Sequence, residues 1–127
     1  MKNLSTYIEE KINVLFVKYN GFFAFSESQI EEAKKQDIKY IYRGGGLYHE
    51  AGRHKEFDEE YKFIIKQAIE QDLRENGKEA IIKRELKNYE SFYTCDISDT
   101  IEALKDYGIS KEEIQAVFRV ELSKYDD

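Results

Sequence analysis

The feature that most constrains the fold is an apolar stripe of helical period between Lys55 and Glu75. Apolar residues recur there at intervals of three and four positions, which places them on one face of an α-helix. They are Tyr61, Ile64, Ile65, Ala68, Ile69 and Leu73. Gly77 follows the stripe and is typical of a helix end. The chain contains no proline, so helices of this length can run without a break.

Five further segments have helical spacing or carry helix-start signals. They are residues 5–19, residues 27–36 with Ser26 and Gln29 as a capping box, residues 78–90, a helix that Asp99 and Glu102 cap and that ends at Gly108, and a last helix with Ser110 and Glu113 as its capping box. Ser110 and Glu113 form the clearest capping box in the chain. Residues 14–17 could also form a strand with Asn20–Gly21 as its hairpin turn, but the helical period holds over four turns and favours a helix.

Three short segments predict strands. The sequence FFAFS at residues 22–26 predicts a short buried strand, and IKYIYR at 38–43 alternates as a strand does. Three glycines and then LYHE at 47–50 predict a turn and a return strand. Residues 91–98 have neither period and predict an irregular or extended link.

These elements predict an α+β fold, in which a small antiparallel sheet is covered by helices and the C-terminal half is all helical. A length of 127 residues fits a single domain over residues 1–127. Within it, residues 1–50 form a mixed helix and strand part and residues 54–124 form a helical part.

Charge and cysteine content limit the partners that we expect. The net charge is −6, which lacks the basic footprint of a protein that binds nucleic acid directly. The chain has one cysteine, Cys95, and no apolar run of membrane-spanning length, so we expect a cytoplasmic protein that does not enter a membrane. His49 and His54 lack the spacing of a metal site, and we expect no cofactor and no metal.

The glycine run is the first candidate site. Gly44, Gly45 and Gly46 could form a nest whose backbone N–H groups receive a phosphate, with Arg43 before it and Tyr48 after it. The plainer alternative is a loose hairpin turn, and we favour it because neither a Walker A nor a Rossmann pattern is present.

The second candidate lies in the helix over residues 78–90. Arg84, Glu85, Asn88 and Glu90 form a polar rim that could face a ligand or a partner. The alternative is pairing within and between helices, which exposed helix surfaces commonly show. The residues alone favour this structural role.

Four segments together resemble a family of small uncharacterised proteins that phages and other mobile elements carry. They are GFFAFSESQIEE (21–32), RGGGLYHE (43–50), QDLRENGKEAIIKRELKNYESFYTCDISDTIEAL (71–104) and YGISKEEIQAVF (107–118). Tyr89 stands where the family often has histidine, which weakens any role that needs an imidazole there. The joint presence of both polar motifs in the family pattern implies that the glycine loop and residues 84–90 converge on one site.

The resemblance implies a phage or mobile-element accessory protein without enzymatic activity. Such a protein would bind and inhibit a host factor, for example a defence effector in an anti-CRISPR role, in the cytoplasm of the host cell. A homodimer is compatible with this hypothesis. The alternative is a nucleotide-like ligand binder in which Gly44–Gly46 and Arg84 hold a phosphate and a tyrosine stacks on a base. An unrecognised small hydrolase is the remaining class.

Overall fold

A computed structural model describes residues 1–125, which divide into two compact units. We call residues 8–66 the sheet unit, and residues 1–7 together with the chain from Gln67 onward the helical unit. The prediction of a single domain over residues 1–127 stays a prediction. No helix within residues 1–125 is long and apolar enough to cross a membrane.

The described residues form seven α-helices, one 3₁₀ helix and three strands, which confirms the predicted α+β class. Their bounds are α1 Leu4–Lys18, β1 Phe22–Phe23, α2 Glu27–Ala33, β2 Tyr40–Gly44, β3 Leu47–Glu50, α3 His54–Asn76, α4 Lys78–Asn88, α5 Ser91–Thr94, α6 Ser98–Ala103, the 3₁₀ helix Lys105–Tyr107 and α7 Lys111–Ser123. Every element from α3 onward is helical, as predicted for the C-terminal half.

The sheet is antiparallel, with β3 in the centre between β1 and β2. Tyr48 of β3 lies opposite Phe22 on one side and opposite Tyr42 on the other. The register shifts between Tyr42 and Gly44, so Arg43 is the extra residue of a β-bulge. A bulge re-aims its side chain, and this one directs Arg43 toward His49 and Asp58.

The core of the sheet unit is aromatic. Leu15 of α1, Tyr19 just after this helix and Phe57 of α3 are buried together. The Tyr19 ring meets the Phe57 ring edge-on at 5.6 Å between centroids, and the buried His49 ring stacks on Phe57 at 4.5 Å. Edge-to-face and stacked rings add to the free energy gained from burial. The helical period of residues 5–19 thus brings one face of α1 onto this core.

The helical unit has an aliphatic core centred on α4. Ile81, Ile82 and Leu86 of this helix are buried at helical spacing, with no more than 2% of any of them exposed. Leu104, Ile109 and Ile114 are buried farther along the chain. The predicted capping box is confirmed at the start of α7, since the Ser110 and Glu113 side chains each bond the other's backbone N–H.

The structure corrects the prediction of a buried strand over residues 22–26. Strand β1 contains only Phe22 and Phe23, and the side chains of Phe23 and Phe25 are exposed. The chain leaves the sheet after the backbone N–H of Ala24 donates to the Gly46 carbonyl, because Ser26 already caps α2, which begins at Glu27. Helix α2 then ends at Ala33 rather than at residue 36.

The link predicted over residues 91–98 is also corrected, because it contains the short helix α5. Glu90 before this helix and Cys95 after it both adopt the left-handed conformation, with φ of 55° and 60°. The next helix begins at Ser98, so Asp99 lies in its first turn instead of capping it, and it ends at Ala103 before a separate 3₁₀ helix that Gly108 ends. The Asp96 carboxylate accepts hydrogen bonds from the backbone N–H and the hydroxyl of Ser98, which supports that start.

Candidate functional site

In the helical unit, Arg84 lies in a buried network instead of on an open rim. Its guanidinium donates to both carboxylate oxygens of Asp72 at 2.9 Å, and only 6% of its side chain is exposed. Asp72 is fully buried and also accepts from the Tyr107 hydroxyl at 2.5 Å and the Asn76 amide at 2.8 Å. Burial of this pair requires that every charge find a partner, and the network meets that requirement.

All five N–H groups of Arg84 have acceptors within the chain. Nε donates to Glu85 at 2.7 Å, and the two terminal nitrogens reach the carbonyl of Lys2, both oxygens of Asp72 and the hydroxyl of Tyr107. A guanidinium has five donors and no more. Arg84 could therefore hold a phosphate only by releasing one of these partners.

The pKa values in this network follow from burial and hydrogen bonding. Burial alone would raise the pKa of Asp72, but hydrogen bonds from Arg84, Tyr107 and Asn76 outweigh it and lower that pKa. Burial raises the pKa of Tyr107, and the bond that it donates to Asp72 raises it further. Asp72 is thus held as a carboxylate and Tyr107 as a neutral phenol that donates its proton.

The other residues of the predicted rim, Glu85, Asn88 and Glu90, differ in their hydrogen-bond partners. Glu85 accepts from Arg84 and from the Asn88 amide, which also donates to the side chain of Asn3 at 2.9 Å. Asn88 therefore contacts the N-terminal residues of the helical unit, and Glu85 holds the Asn88 amide in place. The backbone carbonyl of Glu90 accepts bonds from the N–H groups of Tyr93 and Thr94, while its side chain is exposed.

In the sheet unit, the glycine run forms the turn between β2 and β3. Gly44, Gly45 and Gly46 all have positive φ, between 59° and 90°, where a side chain is strained. A Cβ on Gly46 would overlap the ring of Phe25, which covers this glycine. The N–H of Gly46 donates to the Tyr42 hydroxyl at 3.3 Å, so one N–H of the predicted nest already has an acceptor.

Arg43, predicted to assist the glycine nest, is paired on the helix-facing side of the sheet. It donates to both oxygens of Asp58, at 2.7 and 2.8 Å, and to Nε2 of His49 at 2.8 Å. Since Nε2 accepts, the proton of the His49 ring lies on Nδ1 and is donated to the Glu50 carbonyl. Both nitrogens of His49 are therefore engaged, and residues 1–125 contain no cluster that could hold a metal ion.

The opposite side of the sheet carries a row of aromatic rings. Phe22 stacks on Tyr48 at 5.3 Å between centroids, Tyr42 contacts Tyr48 at 4.9 Å, and Tyr40 meets Phe22 edge-on at 5.2 Å. Tyr48, the predicted ligand residue, thus lies in the middle of this row. The row follows from cross-strand register, which pairs Phe22, Tyr48 and Tyr42 side by side.

Two clefts flank α1 in the sheet unit, and sequence reasoning missed both. The α1–α3 groove has a volume of about 430 Å³. Its walls include Lys11, Val14, Lys18, Glu59, Phe63 and Ile64. The second, which we call the α1–β1 cleft, has a volume of about 470 Å³. Its walls include Asn13, Val17, Asn20, Phe22, Lys35 and Tyr40.

One sequence signal could have found the groove and the cleft. Val14 and Val17 lie off the apolar stripe of residues 5–19, and 69% and 80% of these side chains are exposed. Single exposed apolar residues are common, but two in one helix beside an exposed Phe63 mark a surface. The glycine turn belongs to the sheet unit and residues 84–90 to the helical unit, and the prediction that they form one site stays a prediction.

The chain belongs to a family of unknown function (DUF7659), whose model matches residues 4–125. No curated protein and no solved structure matches the chain. The match confirms the resemblance to an uncharacterised family. Carriage by phages or other mobile elements stays a prediction.

Proposed function

We propose that this member of a family of unknown function is a non-enzymatic binding protein of a phage or other mobile element. It inhibits a host protein, such as a defence effector, by docking that protein on the α1–α3 groove. One observation carries the proposal, namely the exposed apolar surface that the sheet unit presents around this groove.

The exposed apolar residues of the groove lie on two neighbouring helices. Val14 of α1 is 69% exposed and Phe63 of α3 is 62% exposed, and both line the groove. Leu15 and Ile64 form its floor, and both belong to or pack against the aromatic core. An apolar surface that a fold leaves in water on a rigid base is the usual setting of a protein-binding site.

The shape and charge of the groove fit an amphipathic helix. A groove between two helices receives apolar side chains spaced at i, i+3 or i+4, and i+7. Lys18 and Glu60 pair with each other at one rim. Lys11 on α1 and Glu59 on α3 have no ion-pair partner within residues 1–125, so they can pair with an acidic and a basic flank of the incoming helix.

The polar groups favour binding over hydrolysis. A general acid at neutral pH needs a carboxyl group whose pKa is raised. Hydrogen bonds from Arg43 lower the pKa of Asp58, and hydrogen bonds from Lys18 lower that of Glu60, with burial opposing both shifts. The Asp72 carboxyl, the most buried of them, is likewise held ionised.

The proposal is tested by capture of host proteins on three immobilised single variants and the wild type. Val14→Asp and Phe63→Asp place a charge in the groove at exposed positions, where a polar side chain should not unfold the chain. Val120→Asp, at a position that is 58% exposed on α7, is the matched control. We expect one host protein, identified by mass spectrometry, to bind the wild type and Val120→Asp and to be lost with both groove variants.

Two results would overturn this proposal. One is a host protein that binds the wild type and both groove variants equally, because the docking surface would then lie elsewhere. The other is a homodimer in light scattering that Phe63→Asp dissociates, because a second copy of the chain would then occupy the groove. Circular dichroism of each variant shows that the loss of binding is not a loss of folding.

A further inference from the structure

The α1–β1 cleft differs from the α1–α3 groove in its polar lining, which contains amides and one lysine but no carboxylate among the described residues. Val17 and Phe22 supply apolar surface, while Asn13, Asn20 and Lys35 supply hydrogen-bonding groups. Its volume of about 470 Å³ lies within the range of small-molecule sites, roughly 300–1,000 Å³. All of these residues belong to the sheet unit.

The ammonium group of Lys35 is positioned in this cleft without a carboxylate partner. Its Nζ donates to the side-chain carbonyl of Asn20 at 2.8 Å, and Lys35 forms no salt bridge within residues 1–125. An ammonium has three N–H donors, so two remain for a ligand. Asn20 adopts a left-handed conformation with φ of 54°, and its amide donates weakly to Glu50 at 3.5 Å.

The aromatic wall of the cleft is fixed in place by contacts behind it. Phe22 is stacked on Tyr48 at a 10° angle between rings, and it meets Tyr40 edge-on at 70°. The Tyr40 hydroxyl accepts the backbone N–H of Lys35 at 2.9 Å, so the ring of Tyr40 and the position of Lys35 are coupled. A wall held in this way loses little conformational entropy when a ring packs against it.

We propose that the α1–β1 cleft binds a small planar ring that carries one anionic group. The ring packs against Phe22 and Tyr40, the phosphate or carboxylate pairs with Lys35, and Asn13 offers a further hydrogen bond. Lys35 supplies the positive charge that the sequence prediction assigned to Arg43 and Arg84, because both guanidiniums are already bound to aspartates. This site is independent of the protein-binding function proposed for the α1–α3 groove.

The test is a titration followed by ¹⁵N–¹H NMR with two anionic probes and their uncharged counterparts. The probes are adenosine 5′-monophosphate and indole-3-acetate, and the counterparts are adenosine and indole. We expect at least one probe to shift the backbone amides of Asn13, Asn20 and Lys35 in the wild type. The counterpart of that probe should bind at least about tenfold more weakly, since a charge-assisted hydrogen bond is lost.

Three variants separate the role of Lys35 from general charge. Lys35→Ala should weaken binding of the anionic probe about tenfold and bring it to the affinity of the uncharged counterpart. Lys34→Ala, at the exposed neighbouring position, should leave the affinity unchanged. Asn20→Gly keeps a residue that tolerates positive φ but removes the carbonyl that holds Lys35, and it should weaken binding as well.

The proposal is overturned if neither probe shifts the cleft amides at millimolar concentration. It is also overturned if Lys35→Ala and Lys34→Ala bind the anionic probe equally. Adenosine 5′-monophosphate and indole-3-acetate distinguish a phosphate from a carboxylate as the anionic group, and binding of either one through Lys35 supports the site.

Discussion

Arg84 of α4 donates a hydrogen bond to each carboxylate oxygen of Asp72 on α3, at 2.9 Å in both cases. The residues alone favoured pairing between helices over a ligand-facing rim here, and in the structure Arg84 forms a buried ion pair. Such a pair is not by itself a source of stability, because both ions lose their hydration. Removing only one partner destabilises the fold, because the other ion is then a buried charge without a counter-charge.

The first prediction concerns the removal of one ion from this pair. Arg84→Ala should lower the free energy of unfolding by about 3–5 kcal/mol, because Asp72 would keep its charge in a buried site. The double variant Arg84→Met with Asp72→Leu removes both charges and should recover part of this loss, since Tyr107, Asn76 and Glu85 still lose a hydrogen-bond partner. Urea unfolding at neutral pH measures all three proteins. Lys87→Ala, at an exposed position of the same helix, is the control and should change the value by less than about 0.5 kcal/mol.

A different result would restore the ligand-binding role of Arg84. If Arg84→Ala is as stable as Lys87→Ala and loses only the binding of a phosphate-bearing molecule, the network with Asp72 is not needed for folding. The guanidinium would then be available to a ligand. The two outcomes differ in unfolding free energy by several times the error of a urea titration.

The second prediction concerns the pH dependence of stability. The folded-state pKa of Asp72 lies below its unfolded value of about 3.9, because the hydrogen bonds from Arg84, Tyr107 and Asn76 outweigh the effect of burial. The resulting stabilisation is fully present above that unfolded value and is lost as the pH falls through the folded-state pKa. Asp72→Asn cannot titrate, so its stability should depend less on pH below about pH 5 than that of the wild type.

The control for this prediction is Asp58→Asn in the sheet unit. Hydrogen bonds from Arg43 lower the pKa of Asp58, so the sign is the same. The Asp58 side chain is 41% exposed, and solvent weakens its pairing. The acid dependence should therefore change less than in Asp72→Asn. Equal slopes below pH 5 for the wild type and Asp72→Asn, measured by urea unfolding at several pH values, would contradict the assignment.

The third prediction separates two reasons why the turn between β2 and β3 requires glycine, namely a positive φ and the close approach of a neighbouring ring. Gly45→Ala meets only the strain of a positive φ, about 1–2 kcal/mol, because no atom lies within 4 Å of the new Cβ. Gly46→Ala meets the same strain and also displaces the ring of Phe25, so it should destabilise the chain more. Phe25→Ala in the Gly46→Ala background should remove the difference between the two variants. Thermal unfolding measures the wild type and these three variants. Equal losses for Gly45→Ala and Gly46→Ala without Phe25→Ala would show that Phe25 moves aside freely.

Local patterns in the sequence predicted the elements well. The apolar stripe before Gly77 gave α3, and the alternation at residues 38–43 with the following glycines gave β2, the turn and β3. Each of these signals lies within one element, where side-chain period and backbone geometry are directly linked. The exposure of Phe23 and Phe25 could not be read in this way, because it depends on how soon the chain leaves the sheet for α2.

The sequence alone did not predict the hydrogen-bond partners of the polar residues. Asp72 and Arg84 are twelve positions apart on two helices that Gly77 separates, so no helical spacing connects them. A β-bulge directs Arg43 to Asp58, and no residue pattern in the strand predicts this bulge. The sequence therefore identified the polar residues but not the contacts that they make, since those contacts depend on packing between elements.

The last prediction compares the two serine caps that the sequence identified. Ser110→Ala should cost about 1 kcal/mol of unfolding free energy, because its hydroxyl accepts the Glu113 N–H at 3.1 Å at the start of the 13-residue α7. Ser26→Ala should cost less, since its bond to the Gln29 N–H is longer, at 3.3 Å, and α2 is a seven-residue helix without a buried residue. Urea unfolding of both variants measures the difference. A larger loss for Ser26→Ala would show that α2 contributes more to the stability of the sheet unit than its exposure indicates.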